Sequence, residues 1–375
     1  MSPMSRTATG FAAFLLISGL AAAPRAESTP PGAVPVARYT VIPGLKISPE
    51  IGVGFGTMIV HPASPRPGSR MEYRVLYTTR HQSEIRISNR LDDAFGTRGE
   101  VTLEGSFQRF PDNYFGGGNN PVDANEVEYT PLGGYALAQF LRPLGDGPFN
   151  AFAGLRAERW NISNVRKLEG AGDPSAILGP QVTGHDGGYT DLFETGLEYD
   201  TRDHRDVPVR GVHAAQRFGT SLAGAGSYRS TESWLSLHET WWRWEAAGRV
   251  WTKTLYGDPP FYVEPNLGNE DVLRGVPNKR FRDKSAQAAT AELRFNFALA
   301  LPFIASWLGK DWQIATFAET GRVGSDFADA SSGRLHYSGG VGGRLIFNGR
   351  VGAMRGDLGF SEHGAALIVK FNQAF

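Results

Sequence analysis

The strongest constraint on this chain is a period of two that recurs along most of its length. In LFETGLEYDT (residues 192–201), Phe193, Thr195, Leu197, Tyr199 and Thr201 alternate with Glu194, Gly196, Glu198 and Asp200. In AELRFNFALAL (residues 291–301), Leu293, Phe295, Phe297, Leu299 and Leu301 fall on one face and Glu292, Arg294 and Asn296 on the other. Similar strips occupy residues 71–80, 101–110, 149–162, 345–347 and 365–375. Successive side chains of a strand point to opposite faces, so these segments read as strands with one greasy and one polar side. A soluble sandwich turns the greasy side inward, and a transmembrane barrel turns it toward lipid. Alternation alone does not choose between them.

Three features favour the membrane. The strips run near or beyond the ~9–11 residues that a tilted strand needs to cross the hydrocarbon. Trp241, Trp242, Trp244, Trp307, Trp312, Tyr256 and Tyr262 gather at strand ends, where interfacial aromatic girdles lie. The connections also alternate in length. Tight links are read at residues 142–148, 203–210, 245–247, 302–310 and 348–349, and long ones at 110–126, 166–187, 258–284 and 324–334. Counting strands between them puts the short links on one rim and the long ones on the other, as expected for periplasmic turns and external loops. Fifteen strands between residues 51 and 375, with one more near residues 37–47, give 16 and return both termini to the periplasm. Pro43, Ser48 and Pro49 interrupt that first strand. The expected fold is therefore all-β, a transmembrane antiparallel barrel of residues 38–375.

The address is consistent with this. Arg6 precedes the apolar run FAAFLLISGLAAA (residues 11–23), which is short of the ~20 residues of a spanning helix and is followed by Pro24, Pro30 and Pro31. It reads as a secretory signal peptide, residues 1–26, with cleavage after Ala23 or Ala26, followed by a Pro-rich segment, residues 27–37. Beyond it no apolar window reaches the ~18 residues of a membrane helix. The chain has 38 basic and 38 acidic side chains and no Cys. That balance leaves no electrostatic footprint for nucleic acid, and the absence of thiols excludes disulfides, Cys-ligated metals and thiol catalysis. Gly, at 47 residues, is in excess, and runs such as Gly339, Gly340, Gly342 and Gly343 lie within strands, where backbones can approach closely.

Several stretches, in this order and spacing, resemble the BamA/TamA-type outer-membrane family, also called bacterial surface antigens. They are IPGLKISPEIGVGFG (42–56), LYTTRHQ (76–82), RFPDNYFGGGNN (109–120), YDTRDHRDVPVRG (199–211), GNEDVLRGVPNKRFRDKSAQAATAELRF (268–295) and the terminal KFNQAF. The resemblance implies a 16-stranded barrel that helps insert or translocate proteins, with a seam between the first and last strands. It also implies that Phe371 and Phe375 belong to the signal read by the assembly machinery. Only residues 27–50 separate the leader from the second strand, so the chain is similar to members without periplasmic POTRA domains.

By the same resemblance, Leu273, Arg274 and Gly275 correspond to the family's Val-Arg-Gly tip, on a long external loop that folds back into the lumen. A buried guanidinium cannot shed its charge and must find carboxylates. Glu292, opposite Leu293 and Phe295, and Glu319, at the place of the family's acidic residue, are the expected partners, with Gly275 making the tight turn. An ordinary solvated loop, as Lys279, Arg280, Arg282, Asp283 and Lys284 would also allow, is the competing reading. Tyr114, Phe115, Gly116, Gly118 and Asn119 read either as a contact surface or as a turn with left-handed glycines. Asp200, Arg202 and Asp203 read as an ion-pair network at the periplasmic rim.

No Ser-His-acid set or metal-ligand spacing emerges among His61, His81, His185, His204, His213, His238, His336 and His363, so no cofactor, metal or catalysis is expected, an outer-membrane hydrolase being the least favoured reading. The expected partners are the outer-membrane bilayer of a Gram-negative cell, the assembly machinery and a protein or lipid client. A homo-oligomer or a periplasmic partner fits the same reading. A passive pore or structural surface antigen without a client is the alternative.

Overall fold

The computed structural model describes residues 39–48, 52–61, 64, 69–168, 172–298, 311–347, 350, 352–371 and 373–375. The expected leader, the Pro-rich segment, Pro49, Trp307 and the whole of the 302–310 and 348–349 links lie outside the described residues.

Sixteen strands close into one antiparallel barrel: β1 Thr40–Ser48, β2 Gly52–His61, β3 Ser69–Thr78, β4 Ser83–Ala94, β5 Gly99–Arg109, β6 Val127–Pro143, β7 Phe149–Lys167, β8 Gly187–Asp200, β9 Gly211–Gly224, β10 Tyr228–Trp241, β11 Trp244–Gly257, β12 Ser285–Ala298, β13 Asp311–Gly324, β14 His336–Ile346, β15 Ala353–Ser361 and β16 Gly364–Phe371. Each pairs with its chain neighbours, and β16 returns to β1. A short piece, Asp112–Tyr114, prolongs the line of β5 against β6.

The faces are those of a barrel in lipid. Phe55, Val75, Ile85, Leu155, Leu197, Leu235, Val250, Ile314, Val341 and Leu367 are exposed on the outside, while Glu245, Arg294, Arg344, Arg355 and Asp357 are fully buried within. A continuous apolar belt around a charged interior is stable only where the belt meets hydrocarbon. β6 and β7, at 17 and 19 residues, extend well past the ~10 that cross the bilayer.

The four long connections, after β5, β7, β11 and β13, share one rim. Three details differ from the sequence reading. The same rim also carries short turns at residues 79–82, 225–227 and 362–363, so connection length does not sort cleanly by rim. Glu245 to Ala247, read as a turn, lie within β11; the turn is Trp242–Arg243, with Trp242 at φ 54°. The aromatic run across it hides the break, because Trp241 pairs directly with Trp244. Pro43 does not interrupt β1, which stays in register with β2 from Thr40↔Val60 to Ser48↔Gly52. The other edge of β1 is different. Among the described residues its register with β16 holds at one pair, Ile47↔Val369.

A loop held in the bore

Residues 258–284, between β11 and β12, enter the barrel. Their foot is apolar: Leu267, Val272, Leu273, Val276 and Phe281 pack on Ala286, Ala288 and Val323 of the wall. The wall residues are small there, which makes room for the loop; a Cβ on Gly321 would stand 2.8 Å from the Leu267 side chain. A two-residue ribbon, Asn266–Leu267 with Phe281–Arg282, ties the loop's two limbs together.

At the tip, Arg274 is fully buried and surrounded by acids from three strands. Its Nη2 is 2.7 Å from Glu292 of β12, its Nε 3.0 Å from Glu319 of β13, and its Nη1 2.7 Å from Asp357 of β15. The Arg274 backbone N–H donates to the second Glu319 oxygen at 2.6 Å, and Ser338 donates to it at 2.9 Å. The Phe317 ring lies 3.5 Å from the guanidinium carbon. The carboxylates are shared with the wall: Glu292 meets Arg294 at 2.8 Å and Arg344 at 3.4 Å, and Asp357 meets Arg344 at 2.5 Å and Arg355 at 2.9 Å. Such a network is stable because every buried charge has a counter-charge.

Gly275 lets the tip reach the wall. It sits at φ +96°, and a Cβ there would come within 2.8 Å of the Gly359 backbone; on Gly359 it would come within 2.6 Å of the Arg274 carbonyl oxygen. Ser361 then donates to the Gly275 carbonyl at 2.7 Å. Leu273 holds φ 55°, outside the usual range of a branched side chain.

The third acid, Asp357, was not singled out in the sequence. In its segment AMRGDLGFS, Arg355 and Asp357 alternate with Met354, Leu358 and Phe360, the same lumen-facing signal that marks Glu292. Glu270 and Asp271 were also missed. Glu270 pairs with Lys46 of β1 at 2.7 Å and Lys370 of β16 at 3.1 Å, so one loop carboxylate spans the two strands of the seam. Asp271 adds Lys370 at 2.9 Å and pairs with Arg355.

The 110–126 connection grips the same loop. Gly116 and Gly118 have φ +90° and +109°, and Gly118 N–H donates to the Arg282 carbonyl at 2.8 Å. Tyr114 and Phe115 are buried, their rings facing Arg282 and Arg280 at 5.9 and 5.2 Å. Asn119 accepts from Val323 N–H at 2.9 Å and donates to the Arg334 carbonyl at 2.8 Å. The segment is thus both a left-handed turn and a contact with the inserted loop. At the opposite rim Asp200 pairs with Arg202 at 2.8 Å, while Asp203 accepts from the backbone of His204, Val209 and Arg210. Partial burial opposes its ionisation, but those three N–H groups hold its carboxyl below the usual range.

The chain's end departs from a simple last strand. Phe371 lies against Gly44, where a Cβ would stand 2.7 Å from its ring, and packs with Ile42, Met58 and Val60. Gln373, Ala374 and Phe375 lie in the bore. Ala374 C=O accepts from Arg249 at 3.1 Å, Gln373 donates to Gln313 at 3.1 Å, and the Phe375 ring is 5.2 and 5.6 Å from the Arg249 and Arg294 guanidinium carbons. His238, mid-strand, faces the same ring at 5.9 Å, and neither of its nitrogens has a hydrogen-bond partner. Cation–π contacts contribute about 0.5–2 kcal/mol. Phe375→Ala is therefore expected to lower the temperature at which the folded band is lost in heat-modifiability gels by about 2–4 °C; an unchanged transition would show that the tail adds nothing to stability.

Beside the inserted loop remains a cavity of about 780 Å³, with Lys46 of β1 and Ile368 of β16 in its wall.

No protein-family profile and no curated protein sequence matches the chain. Among solved structures it is similar to BamA from Haemophilus ducreyi lacking POTRA domains 1–3, with 13% identity and a TM-score of 0.57, covering 89% of this chain and 69% of that one. CdiB from Escherichia coli aligns at 12% identity and a TM-score of 0.63, covering 90% and 64%. CdiB from Acinetobacter baumannii aligns at 11% and 0.57, covering 90% and 60%. The chain therefore spans less than two thirds of either CdiB chain. At these identities the likeness is one of fold.

Proposed function

We propose that this barrel, built on the fold it shares with BamA and CdiB, lies in the outer membrane of a Gram-negative bacterium and assists insertion or passage of a protein or lipid client. The route is the seam between β1 and β16, and the 258–284 loop, pinned by Arg274, acts as the plug. The role is noncatalytic. One observation carries this reading: Glu270 of the inserted loop pairs with Lys46 on one side of the seam and Lys370 on the other. A loop that only stopped the bore would have no need to hold that edge. Among the described residues the register there is a single pair, which leaves this edge little to lose on opening. The adjoining cavity, walled by both seam strands, offers space beside it. Phe371 and Phe375 fit a signal read by the assembly machinery while the chain is still unfolded, before the tail turns inward.

The chain contains no Cys, so a pair introduced at the seam can cross-link only with itself. Depleting the protein and comparing surface proteins and lipids is expected to reveal a missing component, which identifies the client. Wild type and either single variant, Ile47→Cys or Val369→Cys, are expected to restore it. The oxidised double variant is expected to fail and to recover on reduction. Full rescue by the locked barrel, or depletion without any surface defect, would overturn the reading; the latter is the outcome for a passive pore or surface antigen without a client.

A further inference from the structure

The long-loop rim carries a cluster that the inserted loop does not account for. His336 begins β14, and Glu362 with His363 forms the turn between β15 and β16. Arg334 takes the Glu362 Oε2 at 2.6 Å. The other oxygen, Oε1, faces two imidazoles, 3.0 Å from His336 Nδ1 and 3.6 Å from His363 Nε2.

The hydrogens do not balance in a neutral cluster. His336 Nε2 lies 2.9 Å from the Asn119 carbonyl oxygen. A carbonyl can only accept, so Nε2 carries the ring's hydrogen, and Nδ1 of the neutral ring then points a lone pair at a carboxylate oxygen. A positive charge between them, a second ring proton or a metal ion, reconciles the two. The other imidazole, that of His363, is partly buried in the same turn. Its Nε2 is buried without a hydrogen-bond partner.

We propose that His336 Nδ1, Glu362 Oε1 and His363 Nε2 form a binding site for a divalent transition metal, with Zn²⁺ the best fit. Tetrahedral Zn²⁺ bonds of about 2.0–2.2 Å separate ligand atoms by roughly 3.3 Å. The two measured separations straddle that value, and all three ligand atoms lie within 4.8 Å of one another. His336 is already held as a metal-bound histidine is, its outer nitrogen anchored on a backbone carbonyl. Its ring also stacks on Phe281 of the inserted loop, centroids 3.8 Å apart and planes 21° from parallel. The fourth position is left for water. Bound metal would tie the β15–β16 turn, and so the strand at the seam, to the 110–126 connection and the inserted loop.

A second histidine–carboxylate group gives the contrast. At Glu198, Asp200 and His213, the His213 Nδ1 accepts from Trp234 at 3.3 Å, leaving its Nε2 to donate to Glu198 at 2.6 Å, and Asp200 is engaged by Arg202. One hydrogen satisfies that ring, and no cation is needed.

The test is calorimetric titration of the full, detergent-solubilised chain with ZnCl₂ after chelator treatment, with Co²⁺ absorption as a second readout. One saturable site is expected, with a visible Co²⁺ spectrum of four-coordinate type. His336→Ala and His363→Ala should each weaken it more than about tenfold, whereas His185→Ala should leave it unchanged. No saturable binding in the wild type would show that a proton alone supplies the positive charge, and would overturn the proposal. So would binding undiminished in both variants. If His336→Ala fails to fold, judged by heat modifiability, His363→Ala in the rim turn decides the matter alone.

Discussion

Arg274→Ala is expected to turn a barrel of low or flickering conductance into one with large, sustained openings in planar bilayers. Among the described residues the guanidinium is the one group that touches Glu292, Glu319 and Asp357 together. After its removal Glu292 keeps Arg294 and Arg344, and Asp357 keeps Arg344 and Arg355, so the wall remains largely neutralised. Glu319 fares worse, retaining the Ser338 hydroxyl and one backbone N–H from the very loop that has lost its anchor. Breaking a buried pair from one side costs about 3–5 kcal/mol. That cost is local, falling on the seat of the loop rather than on strand pairing, so the barrel should still form and the loop should leave. Arg274→Lys is expected to rescue only partly, because a single ammonium cannot span three carboxylates from three strands. Steady, large conductance in the wild type, or an unchanged trace in the variant, would dispose of the plug.

Gly275→Val should give the same open trace without touching any charge. The added Cβ would be driven to within 2.8 Å of the Gly359 backbone, and φ +96° is closed to a β-branched residue. Gly359→Val attacks the contact from the wall, meeting the Arg274 carbonyl at 2.6 Å, and should match it. Gly343→Ala, where an added Cβ meets nothing within 4 Å, should conduct as the wild type does. Both valine variants should also expose residues 258–284 to external protease. A closed trace in both, with the loop still protected, would mean that the tip tolerates far more displacement than two backbones in contact allow.

The alternation of Leu293 and Phe295 with Glu292 and Arg294 sorted the two faces, because that pattern is set locally by the pleat, and strand length with the aromatic strand ends then said which face looks inward. The long loops were legible because extended polar stretches break that alternation. What escaped was set by closure. Asp357 joins Arg274 across 83 residues, and the link from Glu270 to Lys46 and Lys370 exists only once the first and last strands meet. The turn at Trp242–Arg243 was displaced toward Glu245 because aromatic girdle residues flank it on both sides and blur the break in alternation. The inward path of Gln373, Ala374 and Phe375 has no periodic signature at all; it follows from guanidiniums and an amide supplied by β11, β12 and β13.

That inward path bears on how the molecule can be handled. Anything fused after Phe375 would begin its course beside Arg249 and Arg294, inside the cylinder, and would have to thread out past its own wall. A purification tag or fluorescent reporter belongs instead in the turn at residues 79–82, where the exposed His81 and Arg80 leave room for an insertion.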